Sequence, residues 1–234
     1  MQDTKEKYKI ALLVPMYNVL PSSSASAFFS TILGLNKLGH TVDMLNCDDT
    51  LIYDARNKLA NLLTENKDRN YDYAIWIDSD QSQFDAKTII RLIESYKNNT
   101  KFQILSATYF TKNDNNPRIL GLKKKEFLYG FVDSYVKGEV IDVDVIGFGM
   151  CIMKPEILIK LYEKHNDKLF CPKYVEKDYI KGEDVVFCEY AAASGYLIGI
   201  DTSITIGHGF STMTEYVYNS VREKNARTIE NIKK

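Results

Sequence analysis

The stretch Tyr73-Ala74-Ile75-Trp76-Ile77-Asp78-Ser79-Asp80 is an apolar run that stops on two carboxylates one residue apart. Its first five residues read as a buried strand, and folding alone gives little reason to end such a strand on paired negative charge. Side chains at i and i+2 where a strand runs out can converge on one hard divalent cation, with water and phosphate oxygens completing its shell. Two solvated aspartates in a strand-to-loop turn would share the same local pattern, because Asp and Ser bond their own backbone there. The surrounding chain decides between the two.

Upstream, residues 8–14 form a continuous apolar run closed by Pro15, the signature of a central parallel strand buried on both faces. Residues 25–38 place Phe28, Phe29, Ile32, Leu35 and Leu38 at helical spacing, and Gly39 stands where a helix C-cap belongs. A strand over 41–45 and a helix over 52–64 follow, so two βα units precede the paired aspartates. Downstream come a helix over 86–97, a strand over 103–107 and a polar loop over 111–117. This alternation predicts an α/β domain with a mainly parallel central sheet flanked by helices, whose ligands bind beyond the carboxyl ends of the strands.

The second half reads as a smaller mixed-sheet region. Strands are expected over 127–136, 139–145 and the glycine-rich 147–153, then a helix opened by Pro155 and running to about 161. A loop, a helix over 184–194 and a strand near 197–200 complete it, with a charged helix over 213–234. The expected organisation is one domain over 1–234: a parallel-sheet half over about 8–110, a mixed-sheet half over about 111–212, and the tail over 213–234.

Composition bounds the chemistry. Thirty basic against 31 acidic residues leave a formal net charge of -1 in 234 residues, which argues against nucleic acid as the main partner. No apolar run approaches the roughly 20 residues of a membrane span. The charged start leads straight into a short strand and has no signal-peptide pattern, so a soluble, cytoplasmic protein is expected. Cys47, Cys151, Cys171 and Cys188 have no CxxC or metal-finger spacing and read as reduced thiols.

Two further clusters carry candidate chemistry. Gly182-Glu183-Asp184 opens a helix, where acidic residues also serve as ordinary caps. Gly207-His208-Gly209 follows an apolar run and leaves an imidazole on a turn. His40, after a helix-ending glycine, and His165, in a charged stretch, attract no such reading.

In this order, a strand-end DxD, a late acidic pair and a final His resemble the GT-A class of nucleotide-sugar glycosyltransferases, family 2 in particular, over residues 10 to about 210. Val14-Pro15-Met16-Tyr17-Asn18 resembles the strand-end loop that starts the donor pocket, and Asp54-Ala55-Arg56-Asn57-Lys58-Leu59-Ala60 resembles the helix whose Arg approaches the diphosphate. Gly147-Phe148-Gly149-Met150 resembles the glycine-rich strand beside the acceptor, or else marks close strand packing.

The resemblance implies a Rossmann-like GT-A fold and a metal-dependent transfer of a sugar from a nucleoside-diphosphate sugar to a hydroxyl acceptor, inverting by single displacement. It implies Mn2+ or Mg2+ on Asp78, Asp80 and His208, and donor contacts from Pro15, Tyr17, Asn18, Arg56, Asp78, Ser79 and Asp80. Asp80 is read as the direct metal contact, and Asp78 as a holder of ribose or metal-bound water. The general base falls on Asp184, with Glu183 as the alternative. A UDP-sugar is the first expectation for the donor and a GDP-sugar the second. Asp48 or Asp49 would meet the base or ribose. The absence of a QxxRW motif argues against a processive synthase. The competing readings are a haloacid-dehalogenase-like Mg-dependent phosphatase, with Asp78 as phosphoryl nucleophile, and a catalytically inactive sugar-binding domain.

Overall fold

Ile10, Ala11, Leu12, Leu13 and Val14 are wholly buried, and their side chains alternate between two cores. Ile10, Leu12 and Val14 pack on one face of the sheet, Ala11 and Leu13 on the other, which is why the strand is apolar throughout rather than every second residue. The computed structural model describes residues 6–16, 20–47, 50–111, 117–125, 128–132, 134–176 and 179–209. Tyr17, Asn18, Asp48, Asp49, most of the polar 111–117 loop and the 213–234 tail lie outside the described residues.

In chain order the described elements are β1 (Lys9–Pro15), α1 (Ser22–Lys37), β2 (Thr41–Cys47), α2 (Ile52–Glu65), β3 (Tyr73–Ile77), β4 (Gln81–Ser82), α3 (Ala86–Asn98), β5 (Ile104–Thr108), β6 (Gly121–Lys125) and β7 (Leu128–Phe131). They continue with β8 (Val140–Val143), β9 (Val145–Ile146), β10 (Met150–Met153), α4 (Pro155–His165), β11 (Lys173–Glu176), β12 (Tyr179–Lys181), α5 (Glu183–Ala193), β13 (Ile198–Thr205) and β14 (Gly207–His208).

Seven strands form the central sheet in the order β2-β1-β3-β10-β5-β13-β8. β10 runs antiparallel to both neighbours and β8 antiparallel to β13, so the other five strands share one direction. Residues of α1 and α3 cover one face, those of α2, α4 and α5 the other. The ends of the elements are chemically marked. Asp85 and Thr88 form a reciprocal capping box at the start of α3, Pro155 occupies the first turn of α4, and Gly39, at φ +86°, turns the chain out of α1. Among the described residues, no helix is long and apolar enough to cross a membrane, and none of the four cysteines forms a disulfide.

Several expectations are corrected. Phe29 and Leu38, read as part of the apolar face of α1, are 69% and 49% exposed, and the helix buries Ser24, Ala27, Phe28, Thr31 and Leu35 instead. The strand expected over 139–145 divides at Asp144, whose carboxylate accepts the Lys124 N–H. β8 thereby joins the central sheet while β9 joins a three-stranded sheet with β6 and β7. The expected loop before α5 holds the β11–β12 hairpin. Gly147, Phe148 and Gly149 precede β10 rather than belonging to it.

Candidate functional site

The chain leaves β1, β3 and β5 at one edge of the sheet, and β10, running the other way, begins there. Pro15 at the end of β1, Asp78, Ser79 and Asp80 after β3, Tyr109 after β5, and Gly147 and Phe148 before β10 therefore meet around one cleft of about 440 Å³. Arg56 from α2, Glu183 and Asp184 from the start of α5, and His208 from β14 line the same cleft.

Arg56 organises the floor. Its Nη2 donates to both oxygens of Asp78, at 2.9 and 3.1 Å, and its Nη1 to Glu183 Oε1 at 2.8 Å. The residue is only 3% exposed, and its guanidinium lies over the Phe148 ring, 4.7 Å from the centroid, a favourable cation–π geometry. Phe148 is in turn wedged edge-on among Trp76, Phe170 and Phe187. Burial opposes the charge on Arg56, but Asp78 and Glu183 outweigh it and hold its pKa above the ordinary value. Asp78 is pushed up to about 6 by burial, against the pull of Arg56.

The two terminal nitrogens of Arg56 are thus engaged by carboxylates, and Asp78 faces Arg56. No group of three or more His, Cys, Asp or Glu side chains suited to a metal occurs among the described residues.

Asp80 and His208 are brought together by a contact between distant parts of the chain. β14 pairs antiparallel with β4, setting His208 opposite Gln81 and Gly207 opposite Ser82, and the Gly209 N–H donates to the Asp80 carbonyl at 3.0 Å. His208 therefore sits in a two-residue strand, not on the expected turn. Its Nδ1 lies 2.6 Å from the Phe110 carbonyl oxygen, which can only accept, so Nδ1 carries the proton and the neutral ring has its lone pair on Nε2. That Nε2 lies 4.0 Å from Asp80 Oδ2. Metal–oxygen and metal–nitrogen bonds of about 2.0 to 2.2 Å together span this gap, so the pair fits one divalent cation as two ligands.

Asp184 has a different environment. Its Oδ1 accepts the Val185 N–H at 2.8 Å; burial and the neighbouring Glu183 raise its pKa above the ordinary carboxylate value. Tyr109, which also lines the cleft, is buried, and its hydroxyl oxygen accepts the Gly149 N–H at 2.9 Å. Its ring stands edge-on to His208 with centroids 5.2 Å apart. The glycines at 147 and 149 make room for this ring: a Cβ on Gly147 would lie 2.1 Å from the Tyr109 hydroxyl, and one on Gly149 2.5 Å from its ring. Gly149→Ala is accordingly expected to destabilise the fold by about 1–3 kcal/mol, read as a lower thermal midpoint. An unchanged midpoint would show that Tyr109 is not confined by this glycine.

Pro15, Arg56, Asp78, Ser79, Asp80, Glu183, Asp184 and His208, all named from sequence, thus share one cleft. Tyr109, one of several aromatics that could stack on a sugar and that by default read as packing, also lines the cleft. Gln81 was not singled out and carries no local signal of its position, being one polar residue in a two-residue strand.

No protein-family model and no curated protein matches the chain. Solved structures do. A197 from STIV aligns with a TM-score of 0.53 at 16% identity, over 87% of this chain and 86% of that one. GalNAc-T7, crystallised with UDP, GalNAc and Mn2+, aligns with a TM-score of 0.56 at 11% identity. The alignment covers 87% of this chain and 43% of GalNAc-T7. Likeness at these identities is likeness of fold alone, and the fold is GT-A-like.

Proposed function

We propose that this chain is a metal-dependent glycosyltransferase that moves a sugar from a nucleoside-diphosphate sugar to a hydroxyl acceptor with inversion. The observation that carries the reading is the division of carboxylates within one cleft. Arg56 engages Asp78 and Glu183, while Asp80 faces His208 and Asp184 keeps a raised pKa.

Asp80 and His208 would hold Mn2+ or Mg2+. When bound, such an ion supplies positive charge against the departing nucleoside diphosphate. Asp184 accepts the proton of the acceptor hydroxyl, whose oxygen bonds to the anomeric carbon as the bond from that carbon to the diphosphate oxygen breaks and its electron pair leaves with the phosphate. Glu183, tied to Arg56 by a 2.8 Å hydrogen bond, is the poorer base. Arg56 acts through Asp78 and Glu183, holding the end of β3 against the start of α5. UDP-sugars are the first donors to test, since the fold relative GalNAc-T7 was crystallised with UDP, and GDP-sugars the second.

A phosphatase using Asp78 as nucleophile is disfavoured, because both oxygens of Asp78 accept hydrogen bonds from Arg56. The transferase reading is tested by nucleoside-diphosphate release from UDP- and GDP-sugars in Mn2+ and in EDTA. Release only with the metal supports it; phosphate release from simple phosphoesters, with no turnover of nucleotide sugars, overturns it. Because Asp184 must be ionised to accept a proton and its pKa is raised, kcat/KM is expected to fall as the pH is lowered, with the acid limb above the usual carboxylate value of about 4. A pH–rate profile flat down to pH 4 would exclude Asp184 as the base.

A further inference from the structure

We infer that Gln81 is a positioning residue that fixes the Asp80 carboxylate for a divalent cation; the inference rests on the reading of Asp80 and His208 as the cation ligands. Gln81 is wholly buried, and its Nε2 donates to Asp80 Oδ1 at 3.1 Å. A carboxylate oxygen only accepts, so the amide nitrogen must be the atom facing Asp80. The amide oxygen, Oε1, is then buried with no hydrogen-bond partner among the described residues.

An unmatched amide carbonyl in the interior is destabilising, and an apolar side chain of similar size would remove the penalty. Core packing therefore does not account for glutamine here. The bond to Asp80 does. It anchors Oδ1, and the other oxygen, Oδ2, is the one turned toward His208 Nε2 across 4.0 Å.

The main chain reinforces this. Gln81 stands opposite His208 in the β4–β14 register, its own N–H donates to the Asp78 carbonyl at 3.0 Å, and the Gly209 N–H donates to the Asp80 carbonyl at 3.0 Å. One residue thus couples the turn after β3 to the strand that carries His208. Hydrogen bonds from outside a coordination shell orient carboxylate and imidazole ligands, and losing one typically costs 10- to 100-fold in metal affinity.

The test measures Mn2+ binding, by the paramagnetic resonance of free Mn2+, in the presence of UDP and separately of GDP. It compares wild type, Asp80→Ala, Gln81→Met and Gln81→Leu, each with its thermal midpoint in EDTA. Wild type is expected to bind, Asp80→Ala to lose binding, and both Gln81 variants to bind about 10- to 100-fold more weakly with midpoints equal to or above wild type. If Asp80→Ala loses binding while both Gln81 variants keep wild-type affinity, or fall only in midpoint, Gln81 is structural and the inference fails while the cation reading stands. If wild type binds Mn2+ with neither nucleotide, both fail.

Discussion

Arg56→Met is expected to lower the unfolding free energy by about 3–5 kcal/mol at neutral pH, the cost typical of removing one partner from a buried ion cluster. The substitution preserves much of the side-chain volume over Phe148 but leaves the Asp78 and Glu183 carboxylates without their cation. Both are mostly buried, with side chains 22% and 17% exposed, so water replaces little of the lost interaction. The penalty should depend on pH in a defined sense. Without Arg56 the pKa of Asp78, already about 6, rises further above its unfolded value of about 4. A carboxyl with a raised folded pKa contributes stability that is present below the unfolded pKa and lost as pH rises through the folded one. Urea unfolding of the variant at pH 5 and pH 8 should therefore show the larger deficit at pH 8. A deficit under 1 kcal/mol, or one that grows toward acid, would mean that Arg56 does not support these carboxylates.

Asp184→Asn is expected to reduce kcat by about 10²- to 10⁴-fold, the range for loss of a general base, with donor and metal binding close to wild type. Asparagine can still accept the Val185 N–H that Asp184 Oδ1 accepts at 2.8 Å, so the start of α5 should keep its conformation while proton acceptance is lost. Glu183→Gln provides the contrast. It weakens the contact to Arg56 and should cost stability, with a smaller effect on the chemical step. Were Glu183→Gln to lose the greater share of kcat at unchanged folding, the base would be Glu183 and the assignment drawn from the Arg56 contact would be wrong.

Much of this arrangement was legible in the chain because it depends on local pattern. The bounds of β3 coincide with its apolar run, and its end on Asp78-Ser79-Asp80 opens into the cleft as the strand-end rule requires. The start of α5, marked by Glu183 and Asp184, follows the same logic. What could not be read depends on contacts between residues remote in sequence. Arg56 reaches partners 22 and 127 positions away, and nothing in an amphipathic helix shows that its arginine is buried. The β4–β14 pair is too short to carry a period, so neither the orientation of His208 nor the place of Gln81 was visible. The glycines at 147 and 149 showed that something approaches closely; only the packing identified it as Tyr109.

The central claim, that Asp80 and His208 together grip a donor diphosphate through a divalent cation, is tested most directly by calorimetric titration of UDP and GDP with Mn2+ and with EDTA. Wild type and Asp80→Asn are compared. The account predicts that at least one nucleotide binds the wild type in Mn2+, that binding weakens at least tenfold in EDTA, about 1.4 kcal/mol, and that Asp80→Asn in Mn2+ binds as weakly as wild type in EDTA. Equal affinity with and without the metal, or full metal-dependent affinity in Asp80→Asn, would contradict it.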